Sequence, residues 1–282
     1  MTQELNYILI TNDVTEAEIY AKANVSRIMI DLEINGKDAR QGHLDTVISR
    51  HSVSDIKPVK QAIAAVEGTT SKLLVRVNPY DEATSKAEID EVIAEGAEYI
   101  MLPMFTTVDE VKSIAEIIDG RVKLVLLCEH YKALDCLDDI LTEVKDVDEV
   151  HLGLNDLRIS IGYNFLFSAF IKGYSEKFAS IMQKHGKPYG MGGVSAIGFG
   201  DLPAEKILTE HAKVGSTRVI LSRHFKSVVF KDGISKEDTV KNLIEETDKL
   251  SAHYAKLLNR SEDEVNADYA DMAAIIEKIE NR

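Results

Sequence analysis

Short apolar runs rich in β-branched residues alternate with longer amphipathic segments along most of the chain. The apolar runs predict eight strands, which are Tyr7–Thr11, Arg27–Glu33, Lys72–Asn78, Tyr99–Phe105, Val122–Glu129, Glu149–Asp156, Pro188–Val194 and Ser216–Arg223. Most of these runs are apolar almost throughout, which is typical of parallel strands covered on both faces. Eight strand–helix pairs with right-handed crossovers favour a (β/α)8 barrel, the TIM barrel, over a doubly wound sheet.

The amphipathic segments carry start and stop signals for helices. Thr15–Glu18 and Thr107–Glu110 have the sequence of capping boxes, in which a hydroxyl and a carboxylate satisfy the first backbone amides of a helix. Gly96, Gly120 and Gly215 stand where helices are expected to stop.

The chain becomes polar and helical after the eighth strand. A capping box at Ser261–Glu264 precedes an apolar stripe with four- and three-residue spacing, formed by Val265, Tyr269, Met272, Ile276 and Ile279. We expect residues 1–258 to form the barrel and residues 259–282 to form an extra C-terminal helix. This helix either packs on its own barrel or packs on, or swaps into, a neighbouring subunit.

Composition narrows the classes of function. The length of 282 residues suits one barrel, and a formal net charge of −14 argues against nucleic acid or an anionic membrane as partner. No apolar stretch is long enough to span a bilayer, the N-terminus lacks the pattern of a secretion signal, and the only two cysteines suit a reducing compartment. We therefore expect a cytoplasmic protein that binds a small molecule. If that molecule is anionic, cationic side chains at the binding site must attract it, because the protein as a whole is acidic.

Polar residues close several of the predicted strands, and catalytic groups of such barrels lie at these carboxyl ends. Glu129 closes strand five and Asp156 closes strand six, so the pair predicts a cup for Mg²⁺ or Mn²⁺. Arg76, at the end of strand three, offers a planar fork for a carboxylate or a developing enolate oxygen. A metal and an arginine together suit carbon–carbon bond chemistry of a 2-oxo acid. Each acid taken alone has an ordinary alternative, as a helix N-cap or a salt-bridge partner.

Strand two and the segment after it hold further candidates. Asp31 and Glu33 alternate along the predicted strand, so we expect one of them to face the site and the other to hold Arg40 or Lys37. The loop after strand two contains two histidines that either reach over the barrel mouth or are solvated, His43 and His51.

Glycines and a polar tripeptide mark the last two strands. Gly190, Gly192 and Gly193 permit close backbone approach to a ligand. Strand eight is closed by Ser222–His224, which suit either phosphate or carboxylate binding or salt bridges at the rim. Near the metal candidate Glu129, we expect His130 to be a loop residue and Cys128 to be a small core residue.

These motifs, in this order and spacing, resemble the HpcH/HpaI aldolase and citrate lyase β-subunit family over about residues 5 to 230. The segments that carry the resemblance are Ile28–Glu33, Leu74–Pro79, Gly96–Pro103, Glu129 and Gly153–Leu157. The resemblance implies a TIM barrel in which Glu129 and Asp156 bind Mg²⁺ and Arg76 binds the oxo acid and stabilises its enolate. It also implies that the backbone amides around Asn155 and Asp156 hold the substrate carboxylate, and that the chain forms a homo-oligomer that exchanges C-terminal helices.

The sequence departs from the pyruvate aldolase branch of that family at two positions. Ile34 stands where that branch has a histidine that helps activate water, and Leu127 stands where it has a glutamine. The general base is therefore open among His43, His51, Glu33 and a water at the metal.

The sequence as a whole predicts a divalent-metal-dependent carbon–carbon lyase of aldolase type, acting on a 2-oxo acid such as pyruvate and an aldehyde or acyl partner. One alternative is a phosphosugar isomerase or epimerase, with Gly192, Gly193 and the end of strand eight as a phosphate cradle. The other is a catalytically silent barrel that serves as an assembly or effector-binding subunit.

Overall fold

A computed structural model describes residues 4–34 and 50–282. Eight parallel strands form a closed barrel in the order β1 to β8, which confirms the predicted TIM barrel. The strands are β1 (Asn6–Ile10), β2 (Arg27–Asp31), β3 (Lys72–Arg76), β4 (Tyr99–Leu102), β5 (Lys123–Cys128), β6 (Val147–Leu152), β7 (Tyr189–Val194) and β8 (Arg218–Leu221). The middle residues of these strands are almost all buried, as expected for strands covered on both faces.

The structure corrects the carboxyl ends of several predicted strands. β2 ends at Asp31 rather than Glu33, β4 ends at Leu102 rather than Phe105, and β6 ends at Leu152 rather than Asp156. After β6, Gly153 caps a new helix, so Asp156 lies in the first turn of a helix and not in a strand. A prediction based on apolar residues alone therefore placed the ends of these strands too late, within the segments that follow them.

The segments between and after the strands are mainly helical. The α-helices are α1 (Val14–Lys22), α2 (Ile56–Ala64), α3 (Ser85–Ala94), α4 (Val108–Ile118), α5 (Tyr131–Glu143), α6 (Leu154–Ile161), α7 (Ser168–Ile171), α8 (Tyr174–His185), α9 (Ala204–Val214), α10 (Arg223–Val229), α11 (Lys236–Leu257) and α12 (Glu262–Glu280). In the part of the chain that the structure describes, none of the helices has the length and apolar character needed to cross a membrane.

Most of the predicted helix signals are present in the structure. The capping boxes at Thr107 and Ser261 are confirmed, because each hydroxyl accepts the amide three residues on and each glutamate accepts the amide of the cap residue. The box at Thr15 is wrong, since Asp13 caps α1 by accepting the Glu16 amide at 2.8 Å. Gly215 ends α9 with φ of +75°, a left-handed conformation that side chains disfavour.

The chain divides into two compact units. The first unit comprises Met1–Ile8, Glu129–Tyr131 and His151–Arg282, and the second comprises Leu9–Cys128 and Lys132–Val150. In the second unit, β2 to β5 pair side by side, with Asp31 opposite Arg76 in the register of β2 and β3.

In the first unit, β1 pairs with β8 and β8 pairs with β7. Helix α9 packs against β7, α11 and α12.

The last helix packs on helices of its own chain. Met272 and Ile276 are fully buried, and α12 contacts α9 and α7. Lys206 of α9 pairs with Asp271, and the Lys213 ammonium lies 3.7 Å from the ring centroid of Tyr269. This packing fits the first of the two arrangements expected for the helix, and exchange with a neighbouring subunit stays a prediction.

Candidate active site

Glu129 follows the last residue of β5 and is buried. Its side chain belongs to the first unit, and only 3% of its surface is exposed. The residue before it, Cys128, is fully buried in the strand, as predicted for a small core residue. His130 is partly exposed and its ring lies 4.7 Å from that of exposed Tyr131, in keeping with the predicted loop position.

Asp156 lies in the first turn of α6, in the same unit as Glu129. Gly153 is the cap residue, so the backbone N–H groups of Leu154, Asn155 and Asp156 belong to the turn that has no partners within its own helix. The positive end of the helix dipole favours negative charge here. The Asp156 side chain is nevertheless buried, with 8% exposed. The start of α6 therefore combines a buried carboxylate with amides suited to binding an anion.

A hydrogen bond joins the two segments that carry the acids. The amide of Tyr131, two residues after Glu129, donates to the Ser160 hydroxyl of α6 at 3.1 Å. That hydroxyl in turn donates to the Leu157 carbonyl at 2.8 Å. The end of β5 and the helix bearing Asp156 are therefore held together by a contact that depends on neither carboxylate.

The donor set fits a hard divalent cation. Two buried carboxylates in one unit provide the oxygen ligands that Mg²⁺ prefers, and Mg²⁺ commonly takes one or two carboxylates from the protein with water or substrate completing the shell. Among residues 4–34 and 50–282, no group of three or more histidine, cysteine, aspartate and glutamate side chains could hold a metal. Glu129 and Asp156 thus fit a site that substrate and water complete, and the assignment stays a prediction.

Arg76 lies in the second unit, where it is held by two acids. Its Nε donates to Asp31 Oδ1 at 2.8 Å and its Nη2 to Asp31 Oδ2 at 2.7 Å, a bidentate pair. Its Nη1 lies 3.5 Å from Glu33 Oε2. Asp31 and Glu33 are each 1% exposed, so these three residues, the Arg76 cluster, form a buried ion-pair network.

The expectation for Asp31 and Glu33 is corrected by this geometry. Both acids contact the same guanidinium, as expected for side chains two residues apart on a strand, which lie on one face, so the expectation that they point in different directions was wrong. β2 ends at Asp31, whose Oδ1 accepts the Glu33 amide at 3.2 Å and so starts a turn. The lysine and arginine expected as partners, Lys37 and Arg40, lie outside the described residues.

The histidine and isoleucine near β2 have defined surroundings. The Asp31 amide donates to His51 Nδ1 at 3.0 Å, so in a neutral ring the proton is on Nε2, and that nitrogen is a hydrogen-bond donor. Ile34 is 48% exposed, and its amide donates to Asn78 Oδ1 at 3.0 Å. The other proposed base, His43, lies outside the described residues.

Close packing against β8, rather than ligand binding, explains why β7 has a glycine at position 190. A Cβ on Gly190 would lie 2.2 Å from the Arg218 carbonyl oxygen, so this glycine allows close approach to β8. A Cβ on Gly192 would meet Ile220 at 3.3 Å, while one on Gly193 would make only ordinary contacts. Substrate binding by Gly192 and Gly193 stays a prediction.

The polar end of β8 forms part of a helix cap. The Ser222 hydroxyl accepts the Phe225 amide at 3.3 Å and so starts α10, while Arg223 and His224 are exposed in its first turn. The hydroxyl of Ser222 is therefore already used in stabilising local structure.

Sequence reasoning missed a buried polar pair on α9, Glu210 and His211, both fully buried in the first unit. Ser175 donates to Glu210 Oε1 at 2.7 Å, and Ser216 Oγ lies 3.0 Å from His211 Nδ1. Burial raises the pKa of the Glu210 carboxyl to about 7 and lowers the pKa of His211 to about 4. The signal was the helical spacing, since both residues lie three or four positions from buried Ile207 and Val214.

A sequence model of the HpcH/HpaI aldolase/citrate lyase family matches residues 12–166, more than half of the chain. The chain belongs to the HpcH/HpaI aldolase/citrate lyase family. The matched region includes Asp31, Arg76, Glu129 and Asp156. This HpcH/HpaI family is one of aldolases and citrate lyases, so the resemblance inferred from the motifs is confirmed. No curated protein sequence matches the chain.

Solved structures, two of them described as HpcH/HpaI proteins, share the fold. An HpcH/HpaI aldolase/citrate lyase family protein from Burkholderia cenocepacia has a TM-score of 0.62 and 16% identity, over 78% of this chain and 88% of the other. The HpcH/HpaI aldolase from Desulfitobacterium hafniense has a TM-score of 0.60 and 16% identity, over 83% and 96%. A citrate synthase, SbnG, has a TM-score of 0.57 and 18% identity, over 78% and 86%. At these identities the likeness shows the barrel and not the reaction.

Proposed function

We propose that this chain is a cytoplasmic, divalent-metal-dependent carbon–carbon lyase of aldolase type that acts on a 2-oxo acid such as pyruvate, with an aldehyde or acyl group as the second reactant. The observation that carries the proposal is the tie between the end of β5 and α6, which keeps the segments of buried Glu129 and Asp156 together in one unit. Membership of the HpcH/HpaI family supplies the class of reaction.

In the proposal, Glu129 and Asp156 would hold Mg²⁺ or Mn²⁺, which would supply Lewis-acid polarisation of the 2-oxo group. The backbone amides of Asn155 and Asp156 bind the substrate carboxylate at the start of α6, where the helix dipole favours negative charge. Gly192 and Gly193 are proposed to lie along the bound substrate.

Arg76 is proposed to bind the oxo acid and stabilise the enolate oxygen. Its bidentate pair with Asp31 fixes the plane of the guanidinium before substrate arrives. Glu33 and His43 are proposed as candidates for proton transfer. The His51 ring, which accepts the Asp31 amide, is less suited to act as a base.

The proposal is tested by proton exchange at C3 of a panel of 2-oxo acids, followed by NMR with Mg²⁺ or Mn²⁺. Exchange reports the enolate and does not require the second reactant to be known. We expect metal-dependent exchange in the wild-type protein and none in the double variant Glu129→Gln/Asp156→Asn. Calorimetry should show that the same variant no longer binds Mn²⁺.

A matched control removes two acids from exposed positions of outer helices. Glu116→Gln/Asp139→Asn changes the net charge by the same amount and should leave exchange and Mn²⁺ affinity intact. Unchanged Mn²⁺ affinity in Glu129→Gln/Asp156→Asn would overturn the metal assignment. Metal-independent activity on a phosphosugar would favour an isomerase, and ligand binding without exchange into any 2-oxo acid would favour a silent barrel.

A further inference from the structure

The loop after α6 is shaped by the end of that helix. Gly162 ends α6 with φ of +81°, and the amides of Gly162 and Tyr163 both donate to the Arg158 carbonyl, at 2.8 and 2.9 Å. This arrangement reverses the chain immediately after the helix. Asn164 and Phe165 follow the reversal.

Arg158 joins this loop to the first turn of α6. Its Nε donates to Asn155 Oδ1 at 3.2 Å, and its Nη1 donates to the Asn164 carbonyl at 3.2 Å and lies 3.5 Å from the Tyr163 carbonyl. One guanidinium therefore contacts both the turn that carries Asn155 and the loop after the helix. A displacement of the loop would be transmitted to the start of α6 through this side chain.

Glu280, near the end of α12, binds the same loop. Its carboxylate accepts the Asn164 amide at 2.8 Å, the Phe165 amide at 2.7 Å and the hydroxyl of fully buried Ser168 at 2.6 Å. Burial alone would raise the pKa of Glu280, but these hydrogen bonds outweigh it and hold the pKa below its usual value. The ionised carboxylate is thus the form that fits three converging donors.

Helix α12 is fixed well enough to serve as a support for this contact. Met272 and Ile276 are buried against neighbouring helices, and the Tyr269 hydroxyl donates to the Phe170 carbonyl at 3.3 Å. Asp271 pairs with Lys206 of α9 on another part of the helix. The position of Glu280 is therefore set by packing that does not involve α6.

We propose that Glu280 is a positioning residue that fixes the first turn of α6, acting through the loop at 163–165 and Arg158. The proposal rests on the proposed function, in which Asp156 binds the metal and the amides of the same turn bind the substrate carboxylate. It adds the C-terminal helix to the residues that determine metal and substrate affinity, although α12 itself carries none of the assigned ligands.

Glu280→Gln tests the contact with a minimal change of shape. A carboxylate accepts on both oxygens, whereas the amide accepts on one and presents an NH₂ group to the remaining donor. At least one of the three hydrogen bonds is lost and replaced by a contact between donors. Asp271→Asn is the matched control, because it is the same kind of change on the same helix and removes an anchor that does not reach α6.

The first measurement is hydrogen–deuterium exchange of peptides covering residues 154–165, without metal. We expect faster exchange there in Glu280→Gln than in the wild-type protein and no such change in Asp271→Asn. Equal exchange in Glu280→Gln and wild type would overturn the proposal. If Glu280→Gln does not fold, Ser168→Ala removes one of the three hydrogen bonds and should change exchange in the same direction by less.

The second measurement is Mn²⁺ affinity by calorimetry, together with the KM for the 2-oxo acid. We expect the Kd for Mn²⁺ and the KM each to rise about 10-fold in Glu280→Gln, which is the lower end of the range for loss of a hydrogen-bond partner of a metal ligand. Both values should be unchanged in Asp271→Asn. In an Arg158→Met background the further loss from Glu280→Gln should vanish, since the link is already cut. Additive losses would overturn the link.

The two measurements separate this proposal from the proposed function. Wild-type protein that binds no Mn²⁺, together with faster exchange in Glu280→Gln, would defeat the metal assignment while retaining the positioning role. Wild-type protein that binds Mn²⁺ as tightly as Glu280→Gln would defeat the positioning role alone.

Discussion

The Arg76 cluster and the Glu210–His211 pair bury titratable groups in two different ways. In the cluster, two acids of 1% exposure share one guanidinium, which pairs with Asp31 in a bidentate contact and lies 3.5 Å from Glu33. On α9, the acid and the base are adjacent in sequence, and burial moves the pKa of each towards the neutral form. The acids of the first region have a cationic partner, whereas burial shifts the pKa of Glu210 and of His211 towards the neutral form.

This difference sets what each region can do. Charged groups held by partners have a fixed orientation, which suits the recognition of a planar anionic group by the guanidinium. Groups kept neutral by burial make the free energy of unfolding depend on pH, because the unfolded chain restores their ordinary pKa values. The cluster is therefore the region expected to serve chemistry, and the α9 pair is expected to affect stability.

The largest expected effect is the loss of Arg76. Arg76→Met leaves Asp31 and Glu33 buried without their cation, and we expect a loss of about 3–5 kcal/mol in the free energy of unfolding at pH 8. Arg76→Lys retains the charge but not the planar fork, so its loss should be smaller while enolate exchange still falls. Urea unfolding and proton exchange measure the two effects.

The matched control neutralises the partner as well. Asp31→Asn should recover part of the stability lost in Arg76→Met, since it removes one of the uncompensated charges. A loss below about 1 kcal/mol in Arg76→Met would mean that the cluster behaves as an exposed ion pair.

A smaller effect of opposite sign is expected at Glu210. Glu210→Gln removes a group that resists ionisation when folded, so we expect the free energy of unfolding at pH 8 to rise by about 1–3 kcal/mol. Thermal melting at several pH values provides the measurement. A decrease at pH 8 would show that the ionised carboxylate is stabilised in the folded protein by Lys213, whose ammonium lies 3.9 Å away.

The two groups of the α9 pair should act in opposite directions across mildly acidic pH. The contribution of Glu210 is complete below pH 4.5 and is lost as pH rises to about 7, because the folded pKa is the higher one. The contribution of His211 is complete above pH 6.5 and is lost as pH falls to about 4. Glu210→Gln should therefore be more sensitive to acid than the wild-type protein, and His211→Gln less so.

The smallest effect is expected for a charge cluster in solvent. Asp90 contacts Lys86 at 2.5 Å and Arg121 at 2.7 Å, but all three side chains are well exposed. Asp90→Asn should change Tm by less than about 2 °C, because exposed ion pairs are screened and poorly ordered. If Asp90→Asn destabilised the protein as much as Arg76→Met, burial would not explain why the two charge clusters differ in their contribution to stability.

The barrel could be predicted from sequence because its signal is repeated in every strand. Runs such as Leu73–Val75 and Leu124–Cys128 are apolar on both faces, which few other structures require. The strand ends could not be predicted as well, since a polar residue there is compatible with strand, turn or helix cap. Asp31 starts a turn and Gly153 starts a helix, and neither outcome is encoded by hydrophobic periodicity.

The sequence predicted which residues belong to the candidate site, but it did not predict which of them contact one another. Arg76 was identified as a fork, but its pairing with Asp31 spans 45 residues of sequence and depends on the register of β2 and β3. Aligning the two predicted strands by their polar ends would have placed these residues side by side. The contact of Glu280 with the loop after α6 spans more than 100 residues and has no periodic signal.

The pairing of β1 with β8 has a consequence for biosynthesis. Asn6 lies opposite Arg218, so roughly 210 residues must leave the ribosome before this seam can form, and contacts of such separation slow folding. Until then β1 has one edge whose backbone groups await a partner, and such edges pair readily with other chains. The nascent protein is therefore expected to need protection from aggregation late in translation, when its other strands have already been made.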